Sequence, residues 1–101
     1  MTDKELIWRM AHKNGVDIVH TKLREELAEL QLAFARIDYA YVTGCSPSSS
    51  EIQDINENLI EEFVDVEIMI SQFKYFIKQG LYEQKREEKI EHIKQLLDAE
   101  V

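Results

Sequence analysis

Apolar side chains recur at steps of three and four residues along most of this chain, the spacing that places them on one face of an α-helix. The longest runs of this kind occupy residues 16–42 and 50–79, and shorter ones cover 2–13 and 81–100. The alternating pattern of a β-strand does not occur. The sequence therefore predicts an all-α chain of four helices.

The two long segments carry the apolar stripes that are expected to form the core. In segment 16–42 the stripe consists of Leu23, Leu27, Leu30, Phe34, Ile37 and Tyr41. In segment 50–79 it consists of Ile52, Ile55, Leu59, Phe63, Val66, Ile70, Phe73 and Ile77. Because a short polar loop joins the segments, we expect an antiparallel helical hairpin, with the helices 2–13 and 81–100 packed against it in a four-helix bundle-like arrangement.

Glycines mark the predicted ends of the helices. Gly15, Gly44 and Gly80 each separate two helical patterns, as expected of a helix stop or a turn. At the start of the chain, Thr2-x-x-Glu5 has the spacing of a capping box.

Length and composition limit the architecture. A chain of 101 residues, 45% of them apolar, is expected to form one domain, 1–101, with a small core. The stripes continue almost to the ends of their helices, and Trp8 and Phe76 add further apolar bulk. We therefore expect a homodimer or homotetramer that buries the remaining apolar surface.

Several functional classes are disfavoured by the same composition. No apolar run approaches the roughly 20 residues of a membrane span, so no membrane association is expected. The single cysteine, Cys45, excludes an internal disulfide and favours a cytoplasmic location. A net charge of −8 argues against binding to a nucleic acid polymer, whose affinity derives from lysine and arginine.

The negative charge is concentrated in one part of the chain. Residues 37–73 contain eight acids and no lysine or arginine, whereas the remaining residues contain 12 acids and 12 bases. A helix normally offsets such acids with bases three or four positions away. This segment is therefore a candidate site for a cation or a basic partner.

Two pairs of carboxylates have matching positions on the long helices. Glu26 and Glu29 lie three residues apart, directly before Leu27 and Leu30, and Glu62 and Asp65 lie directly before Phe63 and Val66. Each carboxylate thus lies one residue before a residue of the apolar stripe. In an antiparallel hairpin, this equal rotation from the two stripes places both pairs on the same side of the hairpin. Their heights also agree to within about 4.5 Å at the rise of an α-helix.

Four converging carboxylates repel one another unless they are protonated or neutralised. Hard divalent cations prefer oxygen ligands, and Mg²⁺ commonly bridges protein carboxylates to phosphates. A single E-x-x-E pair is usually an ordinary solvated helix face. Two pairs that match in offset and height favour a metal site formed by Glu26, Glu29, Glu62 and Asp65.

These motifs resemble those of a known family. The segment Lys22-Leu23-Arg24-Glu25-Glu26-Leu27-Ala28-Glu29-Leu30 is similar to the K-L-x-E-E-x-x-E-L signature of the all-α, MazG-like nucleotide pyrophosphohydrolases. The segment Glu61-Glu62-Phe63-Val64-Asp65-Val66 is similar to their E-x-x-D helix. The resemblance implies Mg²⁺-dependent hydrolysis of a nucleoside triphosphate to the monophosphate and pyrophosphate, with Mn²⁺ as a substitute. By matching position, it implies that Glu26, Glu29, Glu62 and Asp65 are the metal ligands.

Further residues are candidates for the same chemistry. Glu25 or Glu29 is a candidate to accept a proton from the attacking water. Lys22, Lys74 and Lys78 are candidate phosphate ligands, although an ordinary surface charge also explains each of them.

A second hypothesis assigns the same helices to a non-catalytic adaptor that binds a basic protein and retains a vestigial metal site. The two hypotheses differ in the predicted position of the acids. An enzyme needs the four carboxylates to converge beside apolar residues, whereas an adaptor would display them outward on a flat face.

Overall fold

The computed structural model describes residues 1–44 and 50–100. Four α-helices follow one another along the chain: α1 (Asp3–Asn14), α2 (Val16–Val42), α3 (Ser50–Phe73) and α4 (Gln79–Asp98). The described residues contain no β-strand, so the predicted all-α class is confirmed. Among them, no helix combines the length and the apolar character needed to cross a membrane. Residues 45–49 of the predicted polar loop, with Cys45, lie outside the described residues.

The ends of α1 follow the predicted signals. The Thr2 hydroxyl accepts a hydrogen bond of 3.1 Å from the Glu5 backbone N–H and so caps the first turn. Gly15 adopts a positive φ of 81°, and its N–H donates to the Ala11 carbonyl at 2.9 Å. This backbone conformation is unfavourable for residues with a side chain, which explains why α1 ends at a glycine.

The chain between α3 and α4 differs from the prediction. The α-helix ends at Phe73 instead of continuing to residue 79, and a 3-10 turn covers Lys74–Phe76. Ile77 is extended, and α4 begins at Gln79 instead of residue 81. Gly80 therefore lies in the first turn of α4 and is not a stop, so that prediction was wrong. The 3-10 turn brings the ring of Tyr75 to 6.1 Å from His12 of α1.

The contact between α2 and α3 forms the core, but it uses only part of the predicted stripes. Its buried and half-buried positions on α2 are Val19, Leu23, Glu26, Leu30, Ala33, Ile37 and Ala40. On α3 the positions with the same spacing are Ile52, Ile55, Leu59, Glu62, Val66, Met69 and Phe73. Asn58, Ser71 and Gln72, outside this spacing, are also buried or half-buried. Both sets step by three and four residues alternately, as in antiparallel packed helices. We refer to these two sets as the seam.

Apart from the half-buried Ile77, the rest of each predicted stripe is exposed, which corrects the predicted core. The exposed members are Leu27, Phe34, Tyr41, Phe63 and Ile70, and we refer to them as the apolar face. Apolar character alone had favoured these large side chains over the alanines and glutamates that occupy the seam. The small side chains of Ala33 and Ala40 are buried there, which indicates close approach of the two helices.

Close packing at Ala33 predicts a measurable cost for a larger side chain. Ala33 is fully buried, so Ala33→Leu is expected to destabilise the protein by about 1–3 kcal/mol. That loss corresponds to a decrease in Tm of about 5–20 °C. Ala28→Leu, on an exposed position of the same helix, is the matched control for helix propensity and should leave Tm nearly unchanged. Equal effects of the two substitutions would contradict close packing at Ala33.

The two terminal helices differ in how they contact the hairpin. α1 packs against both α2 and α3, as expected, and buries Ala11. α4 makes no comparable contact, and all its residues except Tyr82 are exposed. The expected packing of the fourth helix along the hairpin is therefore not found within one chain.

The shape of the chain reflects this position of α4. The molecule extends over 47 × 46 × 25 Å. The hairpin accounts for one long dimension, because the 27 residues of α2 span about 40 Å. The second long dimension requires α4, which is about 30 Å long, to project away from the hairpin.

Candidate metal centre

Glu26 and Glu62 occupy seam positions, where the neighbouring residues of the same pattern are apolar. Glu26 lies between Leu23 and Leu30 on α2, and Glu62 lies between Leu59 and Val66 on α3. Both glutamates are half-buried. Because the helices are antiparallel, these positions direct the two carboxylates toward each other across the hairpin.

The carboxylates converge closely. Oxygen atoms of Glu26, Glu62 and Asp65 all lie within 4.8 Å of one another. The Oε2 atoms of Glu26 and Glu62 are buried and have no hydrogen-bond partner. Buried oxygens without partners are unfavourable unless a ligand or a cation satisfies them.

Glu29 also acts on these acids. Its negative charge acts on both Glu26 and Glu62, which places its carboxylate beside them. We refer to Glu26, Glu29, Glu62 and Asp65 as the acidic cluster. Three of the four residues that the sequence singled out, Glu26, Glu62 and Asp65, thus converge, and Glu29 acts on the two seam glutamates without belonging to the group within 4.8 Å. Asp65 and Glu29 are more exposed than the two seam glutamates.

The cluster and the apolar face lie on opposite sides of the hairpin. Successive residues of an α-helix are rotated by about 100°. Relative to Glu26, Leu27 is therefore rotated by about +100° and Glu29 by about −60°. The same rotations relate Phe63 and Asp65 to Glu62. In an antiparallel pair, equal rotations point to the same side, so Leu27 and Phe63 share one side, while Glu29 and Asp65 share the other.

The surroundings of the two seam glutamates favour their protonated forms. Burial is the largest influence that raises the pKa of Glu26, and the negative charges of Glu29, Asp65 and Glu62 raise it further. Burial likewise raises the pKa of Glu62, together with its contacts to Glu29 and Asp65. Every one of these influences raises the pKa, and the charge of a lysine, arginine or histidine is not among them.

The candidate lysines lie at different distances from the cluster. Lys22 precedes Glu26 by one helical turn and is exposed on the same side of α2 as Glu29. Lys74 lies in the 3-10 turn, with its Nζ 4.6 Å from the centre of the Tyr82 ring. Lys78 is exposed directly before α4. Of the three lysines, Lys22 is therefore the one on the same side of α2 as Glu29, although its charge is not among those that act on Glu26 or Glu62.

The two candidate bases also differ in position. Glu29 lies beside Glu26 and Glu62, as its effect on both pKa values indicates. Glu25 is exposed and is not among the charges that act on either seam glutamate. The arrangement therefore favours Glu29 over Glu25 for a role at the centre of the cluster.

A cavity of about 600 Å³ lies further along the hairpin toward the loop. Leu32, Arg36 and Tyr39 line it from α2, and Ile55 lines it from α3. Leu32, Arg36 and Tyr39 follow Glu29 at steps of three and four, so the cavity is on the same side as the acidic cluster. From the sequence, Tyr39 is a residue that could stack on a base, although packing is the more usual role of such a side chain. The sequence patterns do not single out Arg36, although it continues the Glu29 face along α2.

The donor set fits a hard divalent cation. Every converging group is a carboxylate, which is the ligand type preferred by Mg²⁺ and Mn²⁺, and thiol or imidazole ligands are absent from the group. The two unpartnered buried oxygens provide ligand atoms that the protein itself does not satisfy. Comparison of this chain with models of known protein families, with curated proteins and with solved structures finds no match.

Proposed function

We propose that this protein is a Mg²⁺-dependent pyrophosphohydrolase, which converts a nucleoside or deoxynucleoside triphosphate and water to the monophosphate and pyrophosphate. The convergence of Glu26, Glu62 and Asp65 within 4.8 Å carries the proposal, because an adaptor would have no need to collect acids at the seam. We infer this particular reaction from the resemblance of sequence segments in α2 and α3 to MazG-like motifs. The proposed location is the cytoplasm.

The acidic cluster would hold the metal through Glu26, Glu62 and Asp65, with Glu29 beside them. When bound, Mg²⁺ or Mn²⁺ neutralises phosphate charge and makes a bound water more acidic. Without a cation, the negative charges of the acidic cluster would repel the phosphates of the substrate. Lys22 is placed to add one positive charge on the same side.

Glu29 is the residue that we assign as general base. Its carboxylate accepts a proton from the water that attacks the α-phosphorus, and the bond from this phosphorus to the bridging oxygen breaks as pyrophosphate leaves. The nucleoside part of the substrate would lie toward the cavity lined by Arg36 and Tyr39. Ile55, at the wall of that cavity, precedes Glu62 by seven residues, or about 10 Å along α3.

Turnover of nucleotides tests the proposal directly. The protein is incubated separately with each NTP and dNTP in the presence of Mg²⁺, and the monophosphate and pyrophosphate are both measured. We expect the two products in equal amounts for at least one nucleotide, and we expect EDTA to stop their formation. Absence of turnover with every nucleotide, base-modified ones included, would overturn the enzyme hypothesis and favour the adaptor.

A further inference from the structure

A second cavity, of about 540 Å³, lies where α1, the end of α3 and the start of α4 meet. Its volume is within the range of about 300–1,000 Å³ that is usual for small-molecule sites. The three helices and the 3-10 turn all contribute to its lining, which consists of Lys4, Ile7, Ser71, Lys74, Tyr75 and Gln79. All of these except Lys4 and Gln79 are half-buried, so packing holds most of the wall in place. We refer to this space as the junction cavity.

The junction cavity is positively charged, although the chain has a net charge of −8. Its described lining includes two lysines and no acid. Residues 68–82, which supply most of the wall, contain no Asp or Glu, whereas residues 37–67 contain eight. The ion pair found among the described residues joins Lys85 and Glu88, and neither Lys4 nor Lys74 forms one there. The Lys74 ammonium instead faces the ring of Tyr82. The junction cavity therefore offers two positive charges that no carboxylate of the described residues pairs with.

The hydrogen bonds around the junction cavity determine which groups can contact a ligand. The Ser71 hydroxyl donates to the Glu67 carbonyl at 2.9 Å, so its hydrogen is used within α3. The side-chain amide nitrogen of Gln79 donates to the carbonyls of Lys74 and Ile77. Gln79 therefore has its Oε1 left to accept a hydrogen bond from a ligand. The ammonium groups of the two lysines remain as the charged donors for an anion.

We propose that the junction cavity binds a nucleoside monophosphate, at a site separate from the acidic cluster. Two lysines match a single phosphate group, whose charge is roughly −2 at pH 7, so the phosphate lies between Lys4 and Lys74. The Gln79 Oε1 accepts a hydrogen bond from a ribose hydroxyl or a base N–H. The base packs against Ile7 and the aromatic ring of Tyr75. Inorganic phosphate would leave this apolar part of the wall uncovered, so the wall favours the nucleotide.

The junction cavity and the acidic cluster lie on different sides of α3. Ser71 follows Glu62 by nine residues, which places it about 14 Å further along the helix and about 180° around it. Asp65, in contrast, is rotated by only about −60° from Glu62. Charges more than about 8 Å apart are largely screened at physiological ionic strength, so the cluster does not strongly repel a phosphate in the cavity. Binding at the junction cavity is therefore independent of the proposed hydrolase activity, although that activity would form a nucleoside monophosphate.

Binding without divalent metal tests this proposal. The full chain, freed of metal on a chelating resin, is titrated in a calorimeter with AMP, GMP, CMP and UMP separately, and with inorganic phosphate. Without a cation the acidic cluster repels phosphate, so the heat measured reports on the junction cavity. We expect at least one nucleotide to bind, at least about 10-fold more tightly than inorganic phosphate. Absence of binding by all four nucleotides, or equal binding of inorganic phosphate, would overturn the proposal. A protein without hydrolase activity can still pass this test, so the two proposals fail separately.

Variants with matched controls locate the bound nucleotide. Lys4→Gln and Lys74→Gln should each weaken binding by at least about 10-fold, because each removes one charged donor. Lys13→Gln is the control for the first, since Lys13 is exposed and lies about 180° around α1 from Lys4. Tyr82→Leu is the control for the second, because it removes the ring beside Lys74 and keeps the ammonium group.

Both controls should bind the nucleotide as the parent does. Equal weakening by Lys4→Gln and Lys13→Gln would indicate a general effect of charge and overturn the assignment to the junction cavity. Weakening by Tyr82→Leu as large as that by Lys74→Gln would overturn the role of Lys74 as a ligand. If Lys74→Gln fails to fold, the comparison of Lys4→Gln with Lys13→Gln still decides the question, because both side chains are exposed on α1.

Discussion

Glu62→Gln is expected to abolish the stabilisation by Mg²⁺ and most of the nucleotide hydrolysis. Glu62 contributes a buried Oε2 without a partner to the point where three carboxylates meet. Glutamine has nearly the same shape but removes the negative charge and one strong ligand atom for the metal. The substitution therefore tests the charge of the cluster without creating a cavity in the seam.

The expected effects are large. At ten times its Kd, a bound ligand stabilises the folded protein by about 1.4 kcal/mol, which raises Tm by about 6–11 °C for a domain of this size. Glu62→Gln should lose most of this shift in a thermal unfolding experiment with and without Mg²⁺. Pyrophosphate release should fall by at least about 100-fold. Even residues that only hold a metal ligand in place commonly cost about 10–100-fold in metal affinity or activity when they are replaced.

Glu57→Gln provides the matched control for this experiment. Glu57 is exposed on the same helix, and its carboxylate is not part of the acidic cluster. The control should keep both the Mg²⁺ shift and the activity. If Glu62→Gln responds to Mg²⁺ as the parent does, Glu62 is not a ligand. If both variants lose the response, Mg²⁺ acts by general screening of the acidic surface and not at a site.

Glu26→Leu is expected to change stability in the opposite direction when no metal is present. Glu26 occupies a seam position between two leucines, and its Oε2 is buried without a partner. Leucine at this position would continue the apolar pattern and remove the repulsion from the other carboxylates. In EDTA the variant should be more stable by about 0.5–2 kcal/mol, the usual range for replacing one unfavourable residue.

The gain should depend on pH. In the folded parent the pKa of Glu26 is raised above the ordinary value of 4.5, so folding increases proton binding by this residue at pH values above that value. The stability of the parent therefore falls as pH rises from about 4.5 through the raised pKa. Leucine does not titrate, and the difference in Tm between variant and parent should be small at pH 4 and larger at pH 7.

Glu25→Leu is the control for this prediction. Glu25 is the exposed neighbour of Glu26, so its replacement should neither stabilise the protein appreciably nor give a difference that increases with pH. If Glu26→Leu proves less stable than the parent in EDTA at pH 7, the carboxylate of Glu26 has a stabilising partner. The interpretation that the acidic cluster lowers the stability of the metal-free protein would then be wrong.

The resemblance to nucleotide pyrophosphohydrolases and the position of the acids support the enzyme hypothesis in different ways. The resemblance indicates a reaction and a class of substrate. The convergence of Glu26, Glu62 and Asp65 indicates why those residues would suit that reaction.

The sequence by itself determined the helices and the matching of the two carboxylate pairs. Local signals define much of this: the cap at Thr2, the positive φ at Gly15 and the three- and four-residue spacing of the apolar positions. The convergence of the acids was also predictable, because equal offsets on antiparallel helices lead to the same side. These features depend on helix geometry, which is the same in every protein.

Only the tertiary structure decided which residues occupy the seam and where α4 lies. The apolar stripe on each long helix is wider than the contact between two helices. A helix could therefore turn about its own axis and bury different parts of its stripe, and the sequence does not select one of these orientations. The close approach of α2 and α3 selected the rotation that buries Ala33 and admits Glu26 and Glu62. That choice left Phe34 and Phe63 exposed, because a side chain can face only one direction from its helix.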